Sequence, residues 1–216
     1  MLLDSSGLIV GHPNKDLALK QIAELSPDLS AATFQQWGRE NNELHAATLD
    51  GRDVVLVGSG MGKVNAALAV YEAVREQRPD FVLNVGTAGS ATQAVGSILA
   101  CGRFLDRDME KVKEFGVPYW YDFSADLVRI DLCRWVDYSH VCNTGDSFVT
   151  EVIAQADVVD MENFAVAAVC QREGIPLLSV KYITDRIGEN LVQDWEDKLH
   201  EANVGLQAFF DRWSAA

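Results

Sequence analysis

The chain has 216 residues and a formal net charge of -14, from 32 acidic against 18 basic side chains. That balance argues against a nucleic-acid partner, which needs clustered Lys and Arg, and against an anionic membrane surface. A chain of this length with 48% hydrophobic residues buries a sizeable core without disulfides or a structural metal, so residues 1–216 read as a single domain.

Leu8-Ile9-Val10 predicts a short strand that stops at Gly11-His12-Pro13. From Lys15 the pattern turns helical, with Leu17, Ile22 and Leu25 apolar, and it ends before Pro27. Leu44 to Leu49 and Val54 to Val57 read as strands joined by Asp50-Gly51, a hairpin signal. Gly58-Ser59-Gly60-Met61-Gly62-Lys63 leads into an Ala-rich helix running to about Glu76. Phe81 to Val85 predicts an apolar strand ending in a small-residue loop, Gly86 to Ser90. Ile98 to Phe104 and Val141-Cys142 read as strands. The Asp106–Asp126 stretch between them predicts a long surface loop with Arg107, Tyr119, Trp120 and Tyr121. Its aromatics suit either an interface or a local apolar cluster. Phe164 to Arg172 reads as a helix closed by Gly174, Leu177 to Ile183 as a buried strand, and a last helix starts near Leu191.

Strands alternating with helices, several of them apolar on both faces, predict an α/β fold with a mostly parallel sheet covered on both sides. The Asp50-Gly51 hairpin makes that central sheet mixed. Ligands of such sheets sit where strands stop. Here those places are Gly11-His12-Pro13, Gly58-Ser59-Gly60, Gly86 to Gly89 and Thr184-Asp185.

Two carboxylates stand out. Glu162, after Val158-Val159-Asp160-Met161, sits at the start of an apolar helix, as a helix-capping acid or a buried site group. Asp185 closes an apolar strand, where desolvation would raise its pKa and make it a proton donor; an N-cap is the alternative. Cys101, Cys133, Cys142 and Cys170 lack CxxC spacing, which predicts buried free thiols in a reducing compartment and no zinc site. No signal peptide or membrane-spanning run is read, so the expected location is the cytoplasm.

Five segments in order carry a family resemblance: Gly58-Ser59-Gly60-Met61-Gly62-Lys63-Val64, Asn84-Val85-Gly86-Thr87-Ala88-Gly89, Thr144-Gly145-Asp146-Ser147-Phe148, Val159-Asp160-Met161-Glu162 and Ile183-Thr184-Asp185. On these the chain resembles the nucleoside phosphorylase superfamily, and most closely its methylthioadenosine/S-adenosylhomocysteine nucleosidase branch. The resemblance implies a three-layer fold, a purine nucleoside as small-molecule partner, no metal or organic cofactor, and a homo-oligomer, with a dimer favoured. It implies that Glu162 accepts from the ribose hydroxyls with Met161 beside the sugar. Phe148 would stack on the base, Val149 would meet the base edge, and Thr87 and Gly89 would line the sugar pocket. Asp185, with Thr184 beside it, would protonate the purine as it leaves.

The family's water-activating acid, five residues after a strand-end glycine, falls on Asp16; His12 is a second candidate base. Asn84 stands where the phosphorylase branches carry a phosphate-gripping Arg, and Lys15 stands in the place of a second such Arg. Hydrolysis of an adenine nucleoside such as methylthioadenosine or S-adenosylhomocysteine is therefore the first expectation. Phosphorolysis is the second, and nucleoside binding without turnover is the third.

Overall fold

The computed structural model describes residues 7–11, 35–37, 44–49, 52–130, 133–134, 136–147, 149 and 156–187, and in the C-terminal stretch 198, 201–202, 204–206, 208–210 and 212. The expected Lys15 helix, Asp16, His12, Lys15 and Phe148 lie outside the described residues, as does part of the last helix.

The strands are β1 (Gly7–Gly11), β2 (Gln35–Trp37), β3 (Leu44–Leu49), β4 (Arg52–Gly58), β5 (Phe81–Ser90), β6 (Ile98–Asp106), β7 (Trp120–Asp122), β8 (His140–Thr144), β9 (Val158–Asp160) and β10 (Leu177–Arg186). The helices are α1 (Lys63–Glu76), the short α2 (Arg107–Glu110) and α3 (Ser124–Leu127), and α4 (Asn163–Glu173).

All ten strands form one mixed sheet. β3 and β4 pair antiparallel with Leu49 opposite Arg52, the pairing expected of a hairpin; Asp50-Gly51 itself lies outside the described residues. β1 lies parallel between β4 and β5. Beyond β5 the sheet curls on itself: β5 pairs β10, β10 pairs β6, β6 pairs β8, β8 pairs β9, and β9 returns to β5 at Gly89 opposite Val159. One edge of β5 thus runs along β1 up to Val85 and meets β9 at Gly89.

Gly86 to Ser90 is strand, not the expected loop, because β10 pairs with it through Ser90. Glycines carry little strand preference of their own, but β10 on one side and β9 on the other hold the segment extended. Asp185 likewise lies inside β10 rather than beyond its end. The Asp106–Asp126 stretch is not a plain surface loop either. It holds α2, α3 and β7, which pairs with β6, and its Arg107 is buried. Tyr121 stacks on Phe164 at 5.0 Å, while Trp120 stays 38% exposed.

α1 and α4 pack on each other and on the sheet. α1 turns Ala66, Ala69, Val70, Ala73 and Val74 inward, and α4 turns Val166, Ala167 and Cys170. Small residues at helical spacing let the helices approach closely. Gly174 ends α4 at φ 65°, the left-handed conformation a glycine adopts without a Cβ penalty. In β10 every residue from Leu177 to Thr184 is buried, Lys181 included. A lysine there needs a charged partner, and that partner marks the site.

Candidate active site

A cavity of about 110 Å³ opens where β5 passes from β1 to β9. Gly86, Thr87, Ala88 and Gly89 form one wall, Met61 a second, and Asp160 to Glu162 a third. Thr184 and Asp185 complete it.

The Asp160 side is densely bonded. Lys181 Nζ lies 3.1 Å from Asp160 Oδ2, and both side chains are almost fully buried. Thr144 Oγ1 donates to Asp160 Oδ1 at 2.6 Å and accepts from the Phe164 N–H at 2.9 Å. The Asn163 N–H donates to Asp160 at 3.1 Å. Asp160 and Thr144 therefore satisfy the first N–H groups of α4. The helix-capping alternative for Glu162 fails: it stands at the N-cap position yet makes no side-chain cap. Its carboxylate instead accepts from Gly62 N–H at 2.8 Å, just before α1, and from Met161 N–H at 3.3 Å. Burial pushes the Glu162 carboxyl above its usual range, the Asp160 charge adds to this, and Lys181 opposes it. Burial pulls the Lys181 ammonium down, but the Asp160 and Glu162 charges outweigh that and leave it raised, hence protonated at neutral pH.

The Asp185 side is sparse. Its carboxylate accepts from Thr184 Oγ1 at 2.8 Å. Burial pushes its pKa up, opposed only by that hydroxyl. A Cβ on Gly89 would come within 2.6 Å of Asp185 Oδ2, so a glycine is what lets the acid lie against β5.

Arg107 closes the cavity from the β8 side and is 8% exposed. Its guanidinium donates to the carbonyls of Asn143 and Asp160 at 3.2 Å each, of Gly145 at 2.9 Å, and of Ser147. A side chain on Gly145 would overlap that guanidinium, which explains the glycine of Thr144-Gly145-Asp146. Outside the cavity, Lys63 Nζ holds Asp106, Asp108 and Asp146 at 3.1, 2.9 and 3.5 Å and ties the start of α1 to α2.

Seven predicted residues thus meet at one cavity: Thr87, Gly89, Val149, Met161, Glu162, Thr184 and Asp185. Reading the sequence missed Lys181, Asp160 as its partner, and the buried Arg107. Lys181 had a signal, as the single charge inside the apolar run Leu177 to Ile183. Arg107 had none, since its acceptors are backbone carbonyls 36 to 53 residues away. Among the described residues, no group of three or more His, Cys, Asp or Glu could hold a metal ion.

The family model of the phosphorylase superfamily matches residues 6–212. A 5'-methylthioadenosine/S-adenosylhomocysteine nucleosidase of Geobacillus sp. (strain WCH70) is 29% identical over 197 residues, 79% of each chain. Its counterpart from Marinomonas sp. (strain MWYL1) is 28% identical over 81% of this chain and 89% of its own. Among solved structures, the nucleosidase of that name from Colwellia psychrerythraea 34H, in complex with adenine, superposes with TM-score 0.79 at 24% identity, covering 97% of this chain and 95% of its own. The futalosine hydrolase of Helicobacter pylori superposes with TM-score 0.78 at 19% identity over 99% and 98%. With the match running almost from end to end, the chain belongs to the phosphorylase superfamily.

Proposed function

We propose that this protein hydrolyses the N-glycosidic bond of an adenine nucleoside, such as methylthioadenosine or S-adenosylhomocysteine, and releases the free base. The observation that carries the reading is the placing of two unlike carboxylates on one cavity: Glu162 pinned by two N–H groups, and Asp185 left with a single hydroxyl and a raised pKa. Glycosidic cleavage builds positive charge on the ribose and negative charge on the departing base. Asp185 gives its proton to the purine. Glu162 accepts from the ribose hydroxyls and lowers the energy of the cationic sugar, with Met161, Thr87 and Gly89 shaping the sugar wall. Val149 and Phe148 meet the base, and Thr184 holds Asp185. Asp16 takes the proton of the attacking water, the role that the family resemblance implies for the acid five residues after Gly11.

Water is favoured over phosphate by the charges on the cavity. Lys181 is already matched by Asp160, the Arg107 guanidinium is taken up by four main-chain carbonyls, and Asn84, 3% exposed in the wall, adds no positive charge. The protein acts in the cytoplasm, a reading supported by four buried free cysteines, of which burial pushes Cys133 up to about 12. It works as a homodimer. Met61, Val64 and Leu68, spaced to share one side of the start of α1, are 49%, 71% and 54% exposed, and Met61 also lines the cavity. No helix among the described residues is long and apolar enough to cross a membrane.

The test is adenine release from methylthioadenosine and S-adenosylhomocysteine, with and without phosphate, against Asp185→Asn. Release without phosphate, lost in the variant, is the expected result. An absolute phosphate requirement would make the enzyme a phosphorylase, and tight binding without turnover would make it a binding protein.

A further inference from the structure

Among the described residues, the buried arginine beside the cavity has no carboxylate within ion-pair distance, and it spends its donors on main-chain carbonyls. Three of those carbonyls lie on β8 and the turn after it, and the fourth lies on β9, which pairs with β8 at Thr144 opposite Asp160 and accepts the Gly145 N–H at the Asp160 carbonyl, 3.2 Å away. One amino group of Arg107 reaches Gly145 and Ser147, on the segment that leads to Phe148 and Val149. The other reaches Asn143 and Asp160, and Asp160 stands two residues before Glu162. A planar guanidinium fixes the angle between its two amino groups, so it fixes the two walls relative to each other. A lysine cannot do this, because its single ammonium sits on a flexible stem and reaches only one of the two sets of carbonyls well.

We infer that Arg107 is a positioning residue, stapling the wall that meets the base to the wall that holds the ribose carboxylate, so that an intact nucleoside finds both at the right separation. The inference rests on the nucleosidase reading. It predicts that a ligand touching one wall is indifferent to the staple, whereas a ligand spanning both depends on it. Without Arg107 the walls stay joined as far as Gly145, through Thr144 and Gly145 to Asp160, but the turn beyond it loses the bond to the Ser147 carbonyl, two residues before Val149. What is lost is the placement of that turn, and of Val149 after it, relative to Glu162, the quantity that makes two contacts better than their sum.

Three numbers test this for the full chain and its Arg107→Lys variant: the dissociation constant of adenine, kcat/KM for methylthioadenosine, and the melting temperature. The expected result is a fall in kcat/KM of about 100-fold, the effect of a displacement near 1 Å, with adenine binding changed less than about threefold. Gly145→Ala is the second variant. It keeps the charge and pushes the guanidinium aside with the new Cβ, and it should show the same split. Equal losses in adenine binding and turnover would overturn the inference, as would unchanged turnover in Arg107→Lys. Failure of both variants to fold would make Arg107 a structural brace and overturn it too. A wild-type chain that binds adenine but cleaves no nucleoside would instead sink the nucleosidase reading. The staple would then be read from nucleoside against adenine affinity in the same variants, with the same outcomes for and against.

Discussion

The cavity has two acidic sides that differ in how firmly they are held. On the proposed sugar side, Asp160 has a lysine, a threonine hydroxyl and a helix N–H around it, and Glu162 has two N–H donors. On the proposed base side, Asp185 has one threonine hydroxyl among the described residues. The contrast suits the two proposed tasks. A group that orients hydroxyls and faces a developing cation works best immobile and charged; the two N–H donors hold Glu162 in place and, with Lys181, oppose the burial and the Asp160 charge that raise its pKa. A group that must hand over a proton works best with desolvation left uncompensated, because every donor aimed at the carboxylate would favour its charged form.

The firm side breaks most visibly at Lys181. Lys181→Met leaves Asp160 buried without its counter-charge, and a loss of about 3–5 kcal/mol is expected for such a broken pair. Urea unfolding measures it. Adding Asp160→Asn in the same chain should return part of the loss, because no buried charge is then unpaired. A Lys181→Met protein that unfolds at the wild-type urea concentration would show that the sugar side is not braced as the distances suggest.

The sparse side should respond in the opposite sense. Asp185→Asn removes the proton donor, and a fall of about 100- to 10,000-fold in kcat/KM is expected. Stability should hold or rise. A carboxyl whose folded pKa is raised is at no disadvantage below its unfolded pKa, and it costs stability as pH climbs through the folded value. The neutral amide escapes that cost at neutral pH. The wild-type protein should therefore lose stability across the window between the ordinary carboxylate range and the raised pKa, and the variant should lose less. Melting temperatures from acid to neutral pH decide the point; an Asp185→Asn protein that melts lower at every pH would show that Asp185 braces the fold.

The two sides also differed in how well the sequence announced them. The antiparallel pairing of β3 with β4, α4 with its Gly174 stop, and the apolar β10 follow from local chemistry, and the structure has all three. Asp160 and Glu162 were visible as a pair of acids before a helix, but not which of them serves the helix. That depends on Thr144 and Lys181, 16 and 21 residues away from Asp160. Gly86 to Ser90 looked like a loop because small residues carry little strand preference, and its pairing with β10 lies almost a hundred residues along the chain. Local patterns fix the elements, while the roles of buried polar groups come from partners that no local window contains.

The intact nucleosidase should also show its acid in a pH profile. Because Asp185 acts protonated, kcat/KM should fall as pH rises through its raised pKa, giving an alkaline limb above the ordinary carboxylate range. A limb that survives unchanged in the residual activity of Asp185→Asn would belong to another group.

The smallest and most specific change is Thr184→Val. It deletes the one hydroxyl that donates to Asp185 and keeps the branched shape of a strand residue that is 1% exposed. Losing a donor to the ionised form raises the acid's pKa further, so the alkaline limb should move to higher pH, by an amount set by a single hydrogen bond to a charged group, about 1.5–3 kcal/mol at most. At low pH, where Asp185 is protonated in both proteins, the rates should be close. Thr184→Ser keeps the hydroxyl and should keep the limb where it is. A limb that stays put in Thr184→Val would mean that water, rather than Thr184, sets the proton on Asp185, and the sparse side would then be sparser than the distances make it.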